Sequence, residues 1–260
     1  MKLTVLTENT ASRIFYAEHG LSYLIEHDNK VVLFDSGHSD VFRRNAGLLE
    51  IDLDKIVDFI VLSHGHWDHG DGLRFIENKI LITHPKAFIR RFRRNGNENI
   101  GLALNKDAVE KRFRLITSSG VFKISANVIF LGEIPRTNNF ESQTTSFTDE
   151  NGADDFIPDD SALAIIQDKK LIIISGCAHS GICNICEYAK KVTGIPEIST
   201  VIGGFHLKQA DEQTRQTIAY FKEQKISRII PSHCTELPAL SALYSEFKFR
   251  QLKTGQTLTI

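Results

Sequence analysis

The stretch Ser63-His64-Gly65-His66-Trp67-Asp68-His69-Gly70 is the most informative part of this 260-residue sequence. It holds three histidines and an aspartate directly after an apolar run, which predicts a buried strand opening into a loop. Imidazole and carboxylate groups are the usual non-sulfur ligands of zinc, iron and manganese. The spacing allows His64 and His66 to reach one ion while Asp68 and His69 turn toward a second. The stretch therefore predicts a metal site.

The stretch also resembles the HxHxDH signature of the metallo-β-lactamase superfamily. Further motifs of that kind follow in order, at residues 34–37, 132–136, 159–163, 176–179, 203–207 and 231–235. Together they resemble the metal-dependent hydrolases of β-lactamase superfamily II, some of which are dihydropterin ribofuranosyl-aminobenzene phosphate synthases. The resemblance runs over nearly the whole chain. It implies an α/β fold, the four-layer αββα sandwich, in a single domain spanning residues 1–260.

The second half of the chain alternates predicted strands and helices, which favours one α/β domain with its site along a sheet edge. Three histidines, His179, His206 and His233, each follow a predicted strand. The resemblance implies that His233 is the last ligand of the metal set. With the first motif, the predicted metal ligands are His64, His66, Asp68, His69, His179, His206 and His233. The expected cofactors are two divalent metal ions, zinc first and iron or manganese as alternatives.

One position departs from the superfamily pattern. An aspartate that bridges both ions usually follows the glycine of the fourth motif, and here Cys177 follows Gly176. A thiolate can bridge metals but selects softer ions, and His179 offers an alternative ligand. The histidine that usually lies between HxHxDH and that aspartate has no clear match either, so His179 or His206 is expected to replace it. His84 matches no motif and is interpreted as a strand-end residue.

The resemblance also implies residue roles. Asp68 would bind metal and orient the attacking group, and His206, where it is not a ligand, would protonate the leaving group. Asp35 would support the metal-binding loop through hydrogen bonds. Metal ions held in this way activate water and polarise a carbonyl or phosphoryl oxygen. The sequence therefore predicts an enzyme.

Several features favour a small anionic substrate, in particular a phosphate ester. Residues 86–94, predicted as a helix, carry five basic side chains that form either a solvated face or a positively charged rim. Arg136 would hold an anion, although an ion pair with Glu133 or Glu141 is an equally ordinary role. The polar stretch 137–160 is long for a loop in a compact domain, which suggests a segment covering the substrate.

The composition excludes some classes of protein. A net charge of −1, with 42% hydrophobic and 24% charged residues, argues against a general nucleic-acid or membrane-surface binder. No apolar run reaches bilayer length and the first residues lack a signal-peptide pattern, so a cytoplasmic location is expected. The sequence does not indicate an oligomeric state. Cys183 and Cys186 are predicted to pack on one buried helix face rather than to form a redox or zinc pair.

Five functions remain open from the sequence. The resemblance favours a metal-dependent hydrolase acting on a phosphate-containing molecule, or a synthase-type transferase in which metal aids C–C bond formation with an aryl ribofuranosyl phosphate. Hydrolysis of a phosphodiester or a lactone is the first alternative, with the same metal site. An iron-binding redox protein would use the same ligands. A ligand sensor with a degenerate site is supported only by the altered residue at position 177.

Overall fold

The structure is a computed structural model and describes all 260 residues. Its strands are β1 (Lys2–Thr7), β2 (Ser22–His27), β3 (Lys30–Phe34), β4 (Phe59–Val61), β5 (Ile80–Thr83), β6 (Arg91–Arg93), β7 (Arg114–Thr117), β8 (Phe122–Lys123), β9 (Val128–Phe130), β10 (Phe147–Asp149), β11 (Ala162–Gln167), β12 (Lys170–Ser175), β13 (Ile198–Gly204), β14 (Arg228–Ser232) and β15 (Thr257–Thr259). Its α-helices are α1 (Val41–Leu48), α2 (Leu53–Ile56), α3 (Trp67–Gly70), α4 (Lys106–Glu110), α5 (Ile182–Thr193), α6 (Glu212–Glu223) and α7 (Leu237–Phe247). None of these helices has the length and hydropathy needed to cross a lipid bilayer.

The chain forms two compact units. The first consists of Met1–Ser119, Thr145–Asp155 and Leu252–Ile260, and the second of Gly120–Thr144 and Phe156–Gln251. Each unit contains one large mixed sheet and its own α-helices. The predicted α/β class is therefore confirmed, whereas the single domain over residues 1–260 stays a prediction.

The first unit is built on a seven-stranded sheet with the order β15-β1-β2-β3-β4-β5-β7. Strands β1 to β3 are antiparallel neighbours, and β3, β4, β5 and β7 run parallel. Leu33, Ile60 and Leu81 of three parallel strands share one buried apolar cluster with Phe42 and Ala46 of α1. Because parallel strands end at the same edge of a sheet, the residues that follow β3, β4 and β5 collect there.

The second unit contains a six-stranded sheet with the order β14-β13-β12-β11-β9-β8. Strands β12, β13 and β14 run parallel, and the others are antiparallel. Apolar side chains of α5, α6 and α7 pack into one core with those of the sheet, among them Ile185, Phe221 and Leu243. Cys183 and Cys186 of α5 are both buried in this core, as predicted. The functional residues of this unit follow the ends of the three parallel strands.

The prediction of a basic helix over residues 86–94 is wrong. Pro85–Phe88 forms a single 3₁₀ turn, and strand β6 follows it and pairs with β10. Strand alternation turns Arg91 inward, where its fully buried guanidinium pairs with Asp155 at 3.0 Å. An inward-facing, paired arginine does not contribute to a charged rim.

The predicted loop over residues 137–160 is also more ordered than expected. Its residues Phe147–Asp149 form strand β10, antiparallel to β6. Arg94 adds a second ion pair to this region, 2.6 Å from Asp154. Two of the five basic side chains of the 86–94 stretch are therefore neutralised by neighbouring carboxylates. The substrate-covering role of the loop stays a prediction.

Candidate metal-binding site

The HxHxDH residues of the first unit lie at the end of β4 and in the short helix α3. His66 occupies the N-cap position of α3, and the backbone N–H of Trp67 donates to the carbonyl of Ile100 at 3.2 Å. Gly65 allows this tight turn, since a Cβ at its position would lie 1.8 Å from the carbonyl oxygen of Ala87. A side chain at position 65 would therefore push the histidine loop away from the sheet.

A fully buried carboxylate, that of Asp35, organises this cluster. Its Oδ1 accepts the backbone N–H of Ser63 at 2.7 Å, and its Oδ2 accepts the Ser63 hydroxyl at 2.8 Å. The same Oδ2 lies 2.6 Å from Nδ1 of His69. Asp35 itself has a left-handed backbone, with φ of 56°, as expected where the chain turns at a strand end. The role of Asp35 in supporting a metal-bound loop stays a prediction.

These hydrogen bonds define which ring nitrogens carry protons. Because the carboxylate only accepts, His69 donates from Nδ1 and keeps its Nε2 lone pair for a metal. The single hydroxyl proton of Ser63 goes to Asp35, so the Ser63 oxygen accepts from Nδ1 of His64, 2.9 Å away. His64 then also presents an Nε2 lone pair. The network fits the tautomers that two metal-binding histidines require.

Two pairs of the four motif residues have ligand atoms close together, and the assignment of each pair to its own ion stays a prediction. Nε2 of His64 lies 3.0 Å from Nδ1 of His66, and Oδ2 of Asp68 lies 3.9 Å from Nε2 of His69. Each pair has its potential ligand atoms within 4.8 Å of one another. Burial, with the nearby His69 and His66 rings, holds the pKa of His64 well below its ordinary value. A neutral imidazole is the form that coordinates a metal ion.

The first unit also contains a histidine that sequence reasoning missed. Nε2 of His19 lies 3.2 Å from Oδ2 of Asp68, and the His19 ring lies 5.5 Å from the ring of Trp67. His38 contacts Trp67 from a centroid distance of 4.5 Å in an edge-on arrangement. His19 lies in a loop far from the motif and belongs to no recognisable spacing. Only the fold brings it to Asp68.

In the second unit, the functional residues follow the carboxyl ends of β12, β13 and β14. Three residues at these strand ends adopt left-handed backbone conformations that are rare outside glycine: Ala178 with φ of 55°, His206 with 51° and His233 with 51°. Such conformations cluster at functional sites, where the surrounding structure holds them in place. Asp160 secures the first of these turns by accepting the backbone N–H of Ser180 at 2.9 Å.

The second unit groups His206 with two cysteines, Cys177 and Cys234. Their potential ligand atoms lie within 4.8 Å of one another, and the ring of His179 lies 4.3 Å from that of His206. Nδ1 of His206 is buried and makes no hydrogen bond. Burial opposes ionisation of Cys234, yet contacts with Cys177 and His206 hold its pKa well below its ordinary value. Cys234 was not among the predicted site residues.

Arg136, the predicted anion-binding residue, directs its guanidinium to neighbouring oxygens. Nε donates to the Ser142 hydroxyl at 2.9 Å, and a terminal nitrogen contacts the carbonyls of Phe156 and Ile157. Glu141, one of its expected ion-pair partners, instead accepts the backbone N–H of Cys183. Through these contacts Arg136 stabilises the loop that follows β9. Anion binding by Arg136 stays a prediction.

Comparison with known proteins now places the chain in a family. The sequence profile of the metallo-β-lactamase superfamily matches residues 16–84. A 7,8-dihydropterin-6-methyl-4-(β-D-ribofuranosyl)-aminobenzene-5′-phosphate synthase from Methanocaldococcus jannaschii is 34% identical over 283 residues, covering 99% of this chain and 96% of the relative. The chain belongs to the metallo-β-lactamase superfamily.

Two further proteins are similar to the chain over most of its length. An uncharacterised protein from the same organism is 38% identical over 250 residues and covers 93% of each chain. A crystal structure described as a metal-dependent hydrolase of the β-lactamase superfamily is 29% identical, with a TM-score of 0.88 and coverage of 100% of this chain and 99% of the other. The predicted metallo-β-lactamase fold is confirmed. In this fold the imidazole, carboxylate and thiolate groups described above suit divalent metal ions.

Proposed function

We propose that the chain is a metal-dependent enzyme that acts on a phosphate-containing small molecule in a synthase-type transfer. The observation that carries the proposal is the buried network in which Asp35 and Ser63 orient His69 and His64. Both rings then present Nε2 lone pairs, which are the donor atoms that a metal ion would bind. A histidine-rich surface loop would need no such network.

Each motif residue has a role in this proposal. His64 and His66 bind one ion, and Asp68 and His69 bind the other. The proposal also includes His179, His206 and His233 as metal ligands. When bound, divalent ions supply Lewis acidity that offsets charge on a phosphoryl or leaving oxygen. Asp68, held by His19, orients the attacking group. Zinc is the expected metal, with iron and manganese as alternatives.

The reaction class is taken from the synthase relative, whose name describes a dihydropterin methyl group joined to a ribofuranosyl-aminobenzene phosphate. In the corresponding transfer, which forms a C–N bond rather than the C–C bond expected from the sequence, the aminobenzene nitrogen attacks the 6-methyl carbon of a dihydropterin that carries a phosphate-type leaving group. The carbon–oxygen bond breaks, its electrons leave with the phosphate, and the amine releases a proton. Identity of 34% over almost the full length supports this reaction class. The substrate is then anionic, as the sequence predicts.

Hydrolysis is the second candidate function. It is supported by the structural relative with a TM-score of 0.88, which is described as a metal-dependent hydrolase. Water would replace the amine as the attacking group, and the substrate would be a phosphodiester, another phosphate ester or a lactone. The metal ligands would be the same in both reactions.

One assay separates the two functions. The enzyme is incubated with 4-(β-D-ribofuranosyl)aminobenzene 5′-phosphate and a dihydropterin bearing a phosphate or diphosphate on its 6-methyl group. The products are identified by mass spectrometry, and aryl phosphodiesters and lactones are tested in parallel. A condensed product that is absent with His66→Ala supports the transfer. Release of phosphate without condensation, or faster turnover of a phosphodiester or lactone, would contradict the transfer and support hydrolysis.

A further inference from the structure

Cys177, His206 and Cys234 come from the ends of three neighbouring parallel strands of the second unit. Cys177 follows β12, His206 follows β13, and Cys234 follows β14. Their potential ligand atoms lie within 4.8 Å of one another, and Sγ of Cys234 lies 3.4 Å from the carbonyl oxygen of Cys177. The fold thus brings two sulfurs and one imidazole together, although the three residues lie more than 25 positions apart in the sequence.

The backbone around this cluster leaves no room for additional side-chain atoms. A Cβ at Gly204 would lie 2.6 Å from Sγ of Cys234 and 2.4 Å from the carbonyl oxygen of Gly176. Gly203, with φ of 116°, adopts a conformation that other residues rarely take. The paired glycines therefore bring the end of β13 against the thiol of Cys234.

The cluster contains a buried polar atom that a metal ion would satisfy. Nδ1 of His206 is buried without a hydrogen bond, although buried polar atoms in proteins nearly always have a partner. The strand-end turn holds the ring there despite a left-handed backbone at His206. A metal cation bound at Nδ1 of His206 would give this nitrogen the partner that no protein atom supplies.

We propose that Cys177, Cys234 and His206 are ligands of one soft divalent metal ion in the second unit. The metal-bound form holds two thiolates and a neutral imidazole, which balance the charge of the ion, and any proton still on either thiol is released to solvent. Three protein ligands leave a fourth tetrahedral position open. Thiolates select zinc or iron over manganese and magnesium. The inference goes beyond the proposed function, which depends on the His64–His69 motif, and it assigns His206 to this ion instead of to the ions bound by that motif.

The chain provides its own control cysteines. Cys183 and Cys186 belong to the same unit, and both are buried among apolar side chains on α5. Burial raises the pKa of both thiols well above the ordinary value. They are matched in residue type and burial to Cys177, but they do not belong to the cluster.

The test is optical titration of the full-length apoprotein with Cd²⁺ or Co²⁺. Thiolate ligands give a strong ligand-to-metal charge-transfer band in the ultraviolet, which imidazole and carboxylate ligands do not. We expect Cys177→Ser and Cys234→Ser each to remove at least about half of the band, and His206→Ala to weaken the metal affinity associated with it. Cys183→Ser and Cys186→Ser should leave the band unchanged. A full band in Cys234→Ser would overturn the proposal.

A second measurement needs no variant. X-ray absorption spectroscopy of the zinc-loaded wild-type protein should show sulfur neighbours at about 2.3 Å. A coordination shell made only of nitrogen and oxygen would overturn the proposal. Neither measurement involves turnover, so failure of this inference is distinguishable from failure of the proposed reaction.

Discussion

Oδ2 of Asp35 lies 2.6 Å from Nδ1 of His69, and both side chains are fully buried. This contact joins the end of β3 to the helix α3, two elements that are distant in sequence but adjacent at the sheet edge. It determines the tautomer of His69 and, through Ser63, that of His64. Residues that orient metal ligands in this way contribute to affinity without touching the ion.

Replacement of Asp35 by asparagine should weaken metal binding. One carboxylate oxygen becomes an amide nitrogen that cannot accept. At the Oδ1 position it would face the backbone N–H of Ser63, and at the Oδ2 position it would face the Ser63 hydroxyl and His69, so that the tautomers of both rings are no longer fixed. We expect metal affinity to fall about 10–100-fold, measured by competition with a chromogenic chelator. Asp40→Asn is a suitable control, because Asp40 caps α1 without a side-chain hydrogen bond. Equal affinities in the two variants would show that Asp35 has no such role.

His19 should influence the reaction through Asp68. Its Nε2 lies 3.2 Å from the Asp68 carboxylate, but about half of its side chain is exposed to solvent. We expect His19→Ala to reduce kcat by about tenfold, which corresponds to a hydrogen bond of about 1.4 kcal/mol to a charged group. His19→Gln should restore part of the rate, since its amide can donate to the same oxygen. A change in KM alone would indicate substrate binding instead.

Two neighbouring aspartates should differ sharply in their effects on stability. The Arg91–Asp155 pair is buried, with side-chain exposures of 0% and 3%, whereas the Arg94–Asp154 pair has exposures of 45% and 53%. Asp155→Asn leaves a buried guanidinium uncompensated and should lower the free energy of unfolding by about 3 kcal/mol. Asp154→Asn should change it by less than about 1 kcal/mol. Chemical denaturation of both variants provides the comparison, and equal losses would contradict the assignment.

Glu141 should make stability depend on pH in an unusual direction. Burial raises the pKa of its carboxyl group, although the backbone N–H of Cys183, the Asn138 amide and the backbone N–H of Asn184 favour the charged form. A raised carboxyl pKa means that the folded state binds the proton more tightly than the unfolded state. The contribution of Glu141 to stability therefore increases as the pH falls through the raised folded value towards about 4.3, the ordinary pKa of glutamate.

Glu141→Gln provides the test of that pH dependence. The substitution removes the titration and one acceptor at the start of α5, and it should lower stability at neutral pH by about 1 kcal/mol. The difference in unfolding free energy should shift in favour of the wild type as the pH decreases from about 7 to about 5. Denaturant titrations at several pH values measure it. A difference that is constant with pH would disprove a raised pKa for Glu141.

The parts of the fold that follow from local pattern could be predicted from the sequence. The alternation of strands and helices that the sequence predicts for the second half of the chain is observed in β12, α5, β13, α6, β14 and α7. The HxHxDH spacing also predicts that His64 lies near His66 and Asp68 near His69, whereas the assignment of each pair to its own ion stays a prediction. These predictions succeed because hydrophobic periodicity and ligand spacing are local properties of the chain.

Other features depend on contacts between distant residues, which a single sequence does not reveal. The run of arginines at 90–94 favours a solvated helix, but pairing of Arg91 with Asp155, 64 residues away, stabilises a strand. His19 belongs to no motif, and Cys234 lies in the 231–235 motif beside His233 without a predicted role; only the folded chain brings them to Asp68 and Cys177. In each case tertiary contacts outweigh the local preference.

The central claim is that the HxHxDH residues of the first unit bind metal. Elemental analysis of the protein purified without added metal tests it most directly, with His66→Ala, His69→Ala and His84→Asn as variants. His84 is a matched control, because it is also a buried strand-end histidine of the first unit, and its Nδ1 accepts the backbone N–H of Lys86 at 3.2 Å. We predict that His66→Ala and His69→Ala each lose at least one equivalent of zinc or iron while His84→Asn retains the wild-type content. Full metal retention in both His66→Ala and His69→Ala, in protein that remains folded, would contradict the account.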